Sequence, residues 1–237
     1  EPAKEGCPNG PGGAKRMIDD GVLENPHVDA VIGLHVGNIW RDPDIIPGDI
    51  GVRSGCIMSC MDRFTITAKG AGGHGAMPET AIDPITISAQ VVNTVQTIIS
   101  REISPLIPAV ISICEIKGGS AFNIIPNECR MTGTIRALSN EMREYLAKRI
   151  GEIANSVAEG MRGKIDYDFN WDGPGPVVNN DEFTSYFKKI AGEIIGAEHV
   201  KELRNPSMGG DDIAFFLEKV PGTYFFLPTS DTSKGEV

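Results

Sequence analysis

The sequence predicts an α/β protein into which a β-α-β-β-α-β unit is inserted. Three observations carry the prediction. Two amphipathic helix patterns alternate with four strand patterns between residues 61 and 171, α/β material flanks that stretch on both sides, and a Gly/Pro-rich link (Gly173, Pro174, Gly175, Pro176) closes it.

The N-terminal piece, residues 1–60, carries a short helical stretch over 13–20. A compact apolar run over 30–36 (Ala-Val-Ile-Gly-Leu-His-Val) follows and reads as a buried strand. Residues 42–49 are rich in Pro, Asp and Gly and read as a connector. The inserted unit opens at about Met61. Phe64, Ile66 and Ala68 alternate with Arg63, Thr65, Thr67 and Lys69, the period of a half-buried strand. Asp83-Pro84 supplies an N-cap and a proline at the first helical position. The helix behind it shows a stripe of Ile85, Ala89, Val92, Val95 and Ile99 and ends before Pro105. Residues 109–117 and 128–137 are two further strands, the second with Cys129, Met131, Gly133 and Ile135 on one side. Ser139 or Asn140 caps a second helix, whose stripe is Met142, Leu146, Ile150, Ile153 and Val157. Finally Ile165, Tyr167, Phe169 and Trp171 alternate with Lys164, Asp166, Asp168 and Asn170.

That order is the ferredoxin-like one, with each helix burying its stripe on one face of a four-stranded sheet and one edge strand left free to pair. The C-terminal piece, residues 172–237, holds a helix over 181–196, a loop over 206–212 that opens a helix through Lys219, and a buried strand over 221–227.

Composition narrows the function. A net charge of −10, with no basic run, argues against nucleic-acid and anionic-membrane partners. No apolar run approaches the ~20 residues that cross a bilayer. The five cysteines are scattered through a chain large enough to need no staples, which reads as reduced thiols in a cytoplasmic protein.

Of the four histidines, His27 and His199 sit in polar surroundings that read as solvated surface. His35 closes an apolar strand, where a neutral imidazole is either a satisfied core group or a metal ligand. Glu5 precedes a Gly/Pro-rich loop, where a carboxylate either ligates a divalent cation or is an ordinary surface acid. His74 stands among Gly70, Gly72, Gly73 and Gly75, so its ring is uncovered by neighbours and suited to meeting an oxyanion; otherwise the segment is a flexible surface loop. The same glycines match a dinucleotide fingerprint, which is rejected because the Asp83 cap lies well beyond them. Asn123 sits in a turn either as a ligand-facing amide or as an Asx turn, and Asp211 and Asp212 occupy a helix N-cap position.

Together these segments resemble the metal-dependent aminoacylase/carboxypeptidase family, in its amidohydrolase branch of hippurate, N-acyl-amino-acid and auxin-conjugate hydrolases. The matching motifs are Pro-Ala-Lys-Glu-Gly at 2–6, Gly-Gly-Ala-Lys at 12–15, Gly-Leu-His-Val at 33–36, Gly-Gly-His-Gly-Ala-Met-Pro at 72–78, Gly-Gly-Ser-Ala-Phe-Asn-Ile-Ile-Pro at 118–126, Gly-Thr-Ile-Arg at 133–136 and Ser-Met-Gly-Gly-Asp-Asp at 207–212. The resemblance implies an incomplete α/β catalytic domain (1–60 and 172–237) with a ferredoxin-like lid and dimerisation domain (61–171). It implies two divalent ions (Zn, Mn, Co or Ni) in the whole protein, with Glu5 and His35 as metal ligands. His74 becomes the oxyanion donor, while Asn123, Arg136, Met208, Gly209 and Gly210 become substrate-side groups.

The implied substrate is a small N-acyl amino acid, and the implied assembly is a homodimer through the lids. Two departures stand out. Lys4 occupies the position of the family's general base, and an ammonium with a pKa of ~10.4 cannot take a proton from water. The family's upstream metal motif and terminal histidine ligand do not occur. The chain therefore reads as a fragment lacking N- and C-terminal parts, with no hydrolytic activity by itself and with fewer metal ions or none. The competing reading is a catalytically dead dimerisation module.

Overall fold

In a computed structural model the described residues are 13–37, 42 and 44–229. The chain divides into two compact units. Unit 1 comprises residues 1–61 and 173–237, and unit 2 comprises Asp62–Asp172.

In chain order, unit 1 begins with α1 (Gly13–Asp19), β1 (Val31–Val36), β2 (Ile50–Val52) and β3 (Gly55–Met58). Unit 2 follows with β4 (Asp62–Lys69), β5 (Gly73–His74), α2 (Pro84–Thr97), β6 (Ala109–Gly118), β7 (Ile124–Ile125), β8 (Glu128–Ala137), α3 (Asn140–Gly160) and β9 (Lys164–Asn170). Unit 1 resumes with β10 (Val177–Asn179), α4 (Asp181–Ile195), β11 (Val200–Glu202), α5 (Ala214–Leu217) and β12 (Gly222–Leu227).

Unit 2 is an antiparallel sheet in the order β6-β8-β4-β9. One face of it carries Phe64, Ile66, Cys129, Met131 and Ile135, all buried against α2 and α3. Both helices start at the residues the sequence marks. The Asp83 carboxylate accepts the N–H groups of Ile85 and Thr86, and the Ser139 hydroxyl accepts that of Met142. The stripe on α3 is close to expectation, with Leu146, Ile150 and Ile153 buried.

The stripe on α2 is not. The buried face is Pro84, Ile87, Ser88, Val91, Val95 and Ile98, whereas Ile85 and Ala89 are exposed. Apolar residues at 85, 87, 89, 91, 92 and 95 let two overlapping stripes fit the same 3.6-residue period, and only the sheet beneath decides between them.

Unit 1 holds a four-stranded sheet in the order β1-β12-β2-β11 and a β3–β10 pair. Strand β1 runs parallel to β12, β12 antiparallel to β2, and β2 parallel to β11. Its core gathers Ile45, Ile57, Met58, Val177, Leu203, Ala214, Tyr224 and Phe226.

Two expectations fail here. The run at 31–36 is not buried on both faces: Ile32, Leu34 and Val36 are 57%, 49% and 51% exposed, on a strand that pairs, among the described residues, with β12 alone. The helix after residue 212 is short, reaching from Ala214 only to Leu217. It tightens into a turn at Lys219, whose N–H donates to Phe216 O at 2.9 Å. Strands β2, β3, β10 and β11, of three or four residues each, are too short to show a period and escape a sequence reading.

Candidate functional site

The glycine-rich segment of unit 2 is a strap bound along its length. Gly70 N–H donates to Asn127 O and Gly72 N–H to the Asn127 side-chain oxygen, both at 2.8 Å. Strand β5 then pairs with β7, His74 opposite Ile124, and Gly75 N–H reaches Asn123 O at 2.8 Å. The glycines are needed for this approach, since a Cβ on Gly70 would lie 2.0 Å from Ile82 O. The flexible-loop reading of this segment is thus replaced by an ordered one.

This pairing sets His74 opposite Ile124, one residue from the backbone bond between Gly75 and Asn123. The Nδ1 of His74 accepts the N–H of Ala76 at 3.1 Å. In the neutral ring the proton then sits on Nε2, leaving an exposed donor. The Asn123 side chain makes no hydrogen bond among the described residues, so it is not held in an Asx turn. It lines a cavity of about 470 Å³ with Gly75, Asp83, Ile85 and Ser120. Arg136 is not part of this group. It lies on β8 seven residues beyond Cys129, which pairs with Gly118 at the loop end, roughly 24 Å along the strand. Its Nη1 is buried without a partner.

In unit 1, His35 stands next to the end of β1, half-buried, its ring 6.2 Å from Phe226. Its Nδ1 lies 2.9 Å from Val36 O. A carbonyl only accepts, so in the neutral ring Nδ1 carries the proton and Nε2 keeps its lone pair. That is the state a metal-ligating imidazole adopts. Among the described residues no three His, Cys, Asp or Glu side chains group to hold a metal. His35 is therefore one suitable ligand that needs others. Lys4 and Glu5 lie outside the described residues.

The Met208–Gly210 loop is shaped from below by a serine that sequence reading passed over. The buried Ser59 hydroxyl faces Met208 O at 2.9 Å and Gly209 O at 3.1 Å, and Ser59 N–H donates to Gly209 O. The loop carbonyls are thereby turned to the protein. The N–H groups of Met208 and Gly210 have no partner among the described residues.

Asp211 and Asp212 both hold backbone N–H groups, but neither caps α5 as expected, since its N-cap is Ile213 and receives no side-chain bond. Asp211 accepts the N–H of Ile213 at 3.0 Å and the Tyr224 hydroxyl at 2.7 Å. Asp212 instead accepts the N–H of Ala14, in the first turn of α1, at 3.1 Å. Tyr224 also packs beside Gly33 of β1 and so links the loop to the strand that carries His35. His27 is solvated as read, but His199 contacts the buried carboxylate of Asp49 at 2.8 Å, a partner from a distant segment that no local pattern announces.

The family model described as Peptidase family M20/M25/M40 matches residues 1–236. The chain is 34% identical to an N-acetylcysteine deacetylase of Bacillus subtilis over 222 residues, covering 94% of this chain and 56% of that protein. It is 37% identical to thermostable carboxypeptidase 1 of Saccharolobus solfataricus over 235 residues, covering 99% and 56%. It is 34% identical to hippurate hydrolase of Campylobacter jejuni over 228 residues, covering 96% and 57%. The chain thus spans about half the length of the curated relatives it matches.

Among solved structures, a putative aminohydrolase from methicillin-resistant Staphylococcus aureus aligns with a TM-score of 0.83 and 28% identity, covering 97% of this chain and 56% of that one. A dinuclear metal-binding peptidase from Bacillus subtilis aligns with a TM-score of 0.73 and 28% identity, covering 92% and 52%.

Proposed function

Because the chain belongs to peptidase family M20/M25/M40, we propose that it is the central part of a metal-dependent amidohydrolase that cleaves the amide bond of small N-acyl amino acids. The observation that carries this reading is an ordered strap on which His74 has its Nδ1 engaged and an exposed Nε2–H donor, while the next residue, Gly75, is bonded through its N–H to Asn123 O. Relatives named for N-acetylcysteine and hippurate support the substrate class.

Unit 2 is read as the ferredoxin-like lid and unit 1 as part of the catalytic domain. His35, through the lone pair on Nε2, and Glu5, by resemblance, would hold a divalent cation. The cation, when bound, supplies Lewis-acid polarisation and water activation. The chain's own groups do the rest. The His74 Nε2–H donates to the carbonyl oxygen as negative charge builds on it. By resemblance, Asn123 in unit 2 and Met208, Gly209 and Gly210 in unit 1 would each be substrate-side groups. Arg136, whose buried Nη1 has no partner among the described residues, is a substrate-side candidate by resemblance alone.

Lys4 cannot serve as the proton acceptor, so the chain as it stands is proposed to be inactive. That single residue also favours the second reading, a dimerisation module that has lost its chemistry. A homodimer through unit 2 is supported by the free edge of β6 and the fully exposed Phe122 and Leu106. A cytoplasmic location is supported by Cys56, Cys114 and Cys129, which are free thiols. No helix among the described residues is long and apolar enough to cross a membrane.

The test uses a chain extended at both ends to the length of its relatives, with Lys4 and with Lys4→Glu. Bound metal per chain and amino-acid release from hippurate and N-acetyl amino acids are measured. The enzyme reading expects metal binding in both and turnover with Lys4→Glu. Neither metal nor turnover in the extended Lys4→Glu protein would sink it and leave the dimerisation module.

A further inference from the structure

Two peptide links join the units, Met61–Asp62 and Asp172–Gly173. On the unit 1 side the two crossings are tied to each other, since Met61 N–H donates to Pro174 O at 3.0 Å. On the unit 2 side the tie is a side chain. Arg143, in the first turns of α3, donates from Nε to Asp62 Oδ2 at 2.6 Å and from Nη2 to Asp62 Oδ1 at 2.5 Å. The same Nη2 lies 3.4 Å from Trp171 O, and the guanidinium stands 5.3 Å from the centre of the Trp171 ring. Trp171 is itself packed on Phe169 at 4.4 Å. The Asp62 carboxylate is wholly buried.

A buried ion pair is a poor way to gain stability, because desolvation offsets most of the attraction and apolar residues of the same volume do as well. What the guanidinium offers over an apolar filler is direction: a planar fork that fixes a carboxylate, a carbonyl and an aromatic ring at set angles. Here those three groups are the first residue of unit 2 and the last but one. We propose that Arg143 is the positioning residue of the hinge: it gathers both chain crossings into one rigid root, so that unit 2 moves about Met61–Asp62 and Asp172–Gly173 as a single body. Two tethers held side by side permit rotation about one axis, whereas two independent tethers permit twisting and splaying as well. The claim concerns mechanics and does not rest on the hydrolase reading.

The experiment compares the 237-residue chain with Arg143→Lys and with the double variant Asp62→Val/Arg143→Met, which fills the site with apolar atoms and leaves no charge unpaired. Amide hydrogen exchange is followed residue by residue, together with the distance distribution between spin labels placed at Glu159 in unit 2 and Glu193 in unit 1. Both variants are expected to exchange about tenfold faster or more at residues 61–62 and 171–174, with unchanged protection in the rest of β4 and in β8 and α3. The label distribution is expected to broaden. Wild-type exchange and an unbroadened distribution in the folded double variant would overturn the proposal. So would faster exchange spread evenly through unit 2, since that is plain destabilisation of the core. Neither readout needs turnover, so the absence of amidohydrolase activity leaves the result intact.

Discussion

The helix-facing positions of unit 2 and the outer positions of β1 in unit 1 use the same kinds of residue and end in different surroundings. Phe64, Ile66, Met131 and Ile135 are sealed beneath α2 and α3. Ile32, Leu34 and Val36 are about half exposed, although Thr223, the β12 partner of Ile32, is buried and Phe225, that of Leu34, is half-buried. There Phe225 packs on Phe187 of α4 at 4.9 Å, and Thr223 meets Thr184 at 3.0 Å. Apolar side chains state a demand for cover; whether it is met depends on which elements lie over them. Unit 2 carries both of its covering helices, whereas α4 reaches β12 and not the outer face of β1.

The strongest way to break this comparison is to truncate one leucine in each place. Leu146→Ala, at a fully buried position, is expected to cost about 2–5 kcal/mol in urea denaturation. Leu34→Ala is expected to cost under about 1 kcal/mol in this chain, since little cover is lost. Equal losses would mean that β1 is packed as tightly as the core of unit 2.

The two candidate histidines show the same division in their chemistry. Both are held through Nδ1, His35 by a carbonyl and His74 by an N–H, so their free nitrogens are opposite in kind. One offers a lone pair, which suits a cation, and the other a proton, which suits an oxyanion. Long-range proton–nitrogen NMR above pH 8 is expected to find the Nδ1–H tautomer at His35 and the Nε2–H tautomer at His74; the same tautomer at both would break the assignment. In the extended Lys4→Glu protein, His74→Ala is expected to lower kcat by about 10²–10³-fold with metal content unchanged. His35→Ala is expected to lower the metal content itself.

Much of unit 2 could be read from residues because its rules are local. The Asp83-Pro84 and Ser139 caps act within three residues, and a strand such as β8 shows its period over ten. What the sequence withheld depends on contacts across long separations. The register of α2 is settled by the sheet and not by its own pattern. Ser59 meets a loop 150 residues away, and Asp212 caps a helix 198 residues before it. His74 stood out from its glycines alone, but its tautomer needed the geometry of Ala76. The pairing of Asp62 with Arg143 gave no sequence signal, because an Asp at a strand start and an Arg on a helix are each ordinary.

Thiol reactivity separates buried from open positions at smaller cost. Burial, partly opposed by the nearby charge of Arg53, pushes the Cys56 thiol up to about 11. At pH 8 its thiolate is then roughly two-hundredfold scarcer than that of an ordinary thiol near 8.5. Cys114 lies exposed on β6. Iodoacetamide followed by peptide mass spectrometry is expected to label Cys114 first and Cys56 late. Early labelling of Cys56 would mean that the β3–β10 region of unit 1 opens readily.

The smallest effect lies at the end of α2, where a π-helical turn over Ile98–Glu102 brings Glu102 to α3. The Arg149 guanidinium binds its carboxylate through Nε and Nη2, at 2.8 and 2.9 Å, and the Tyr145 hydroxyl donates at 2.8 Å. These bonds, Arg149 first, pull the Glu102 carboxyl down to about 2. A carboxyl depressed in the folded state adds stability above its unfolded value near 4.5 and loses it as pH falls towards 2. Because the site is partly open to solvent, the contribution is on the order of 1 kcal/mol or less. Other carboxylates titrate in the same range, so the informative quantity is a difference. Between pH 6 and pH 3 the urea midpoint of the wild type should fall further than that of Glu102→Gln, whose amide does not titrate. An equal fall in both would remove Glu102 as a support of α2, leaving the Ile98 side of the turn to hold it against the sheet.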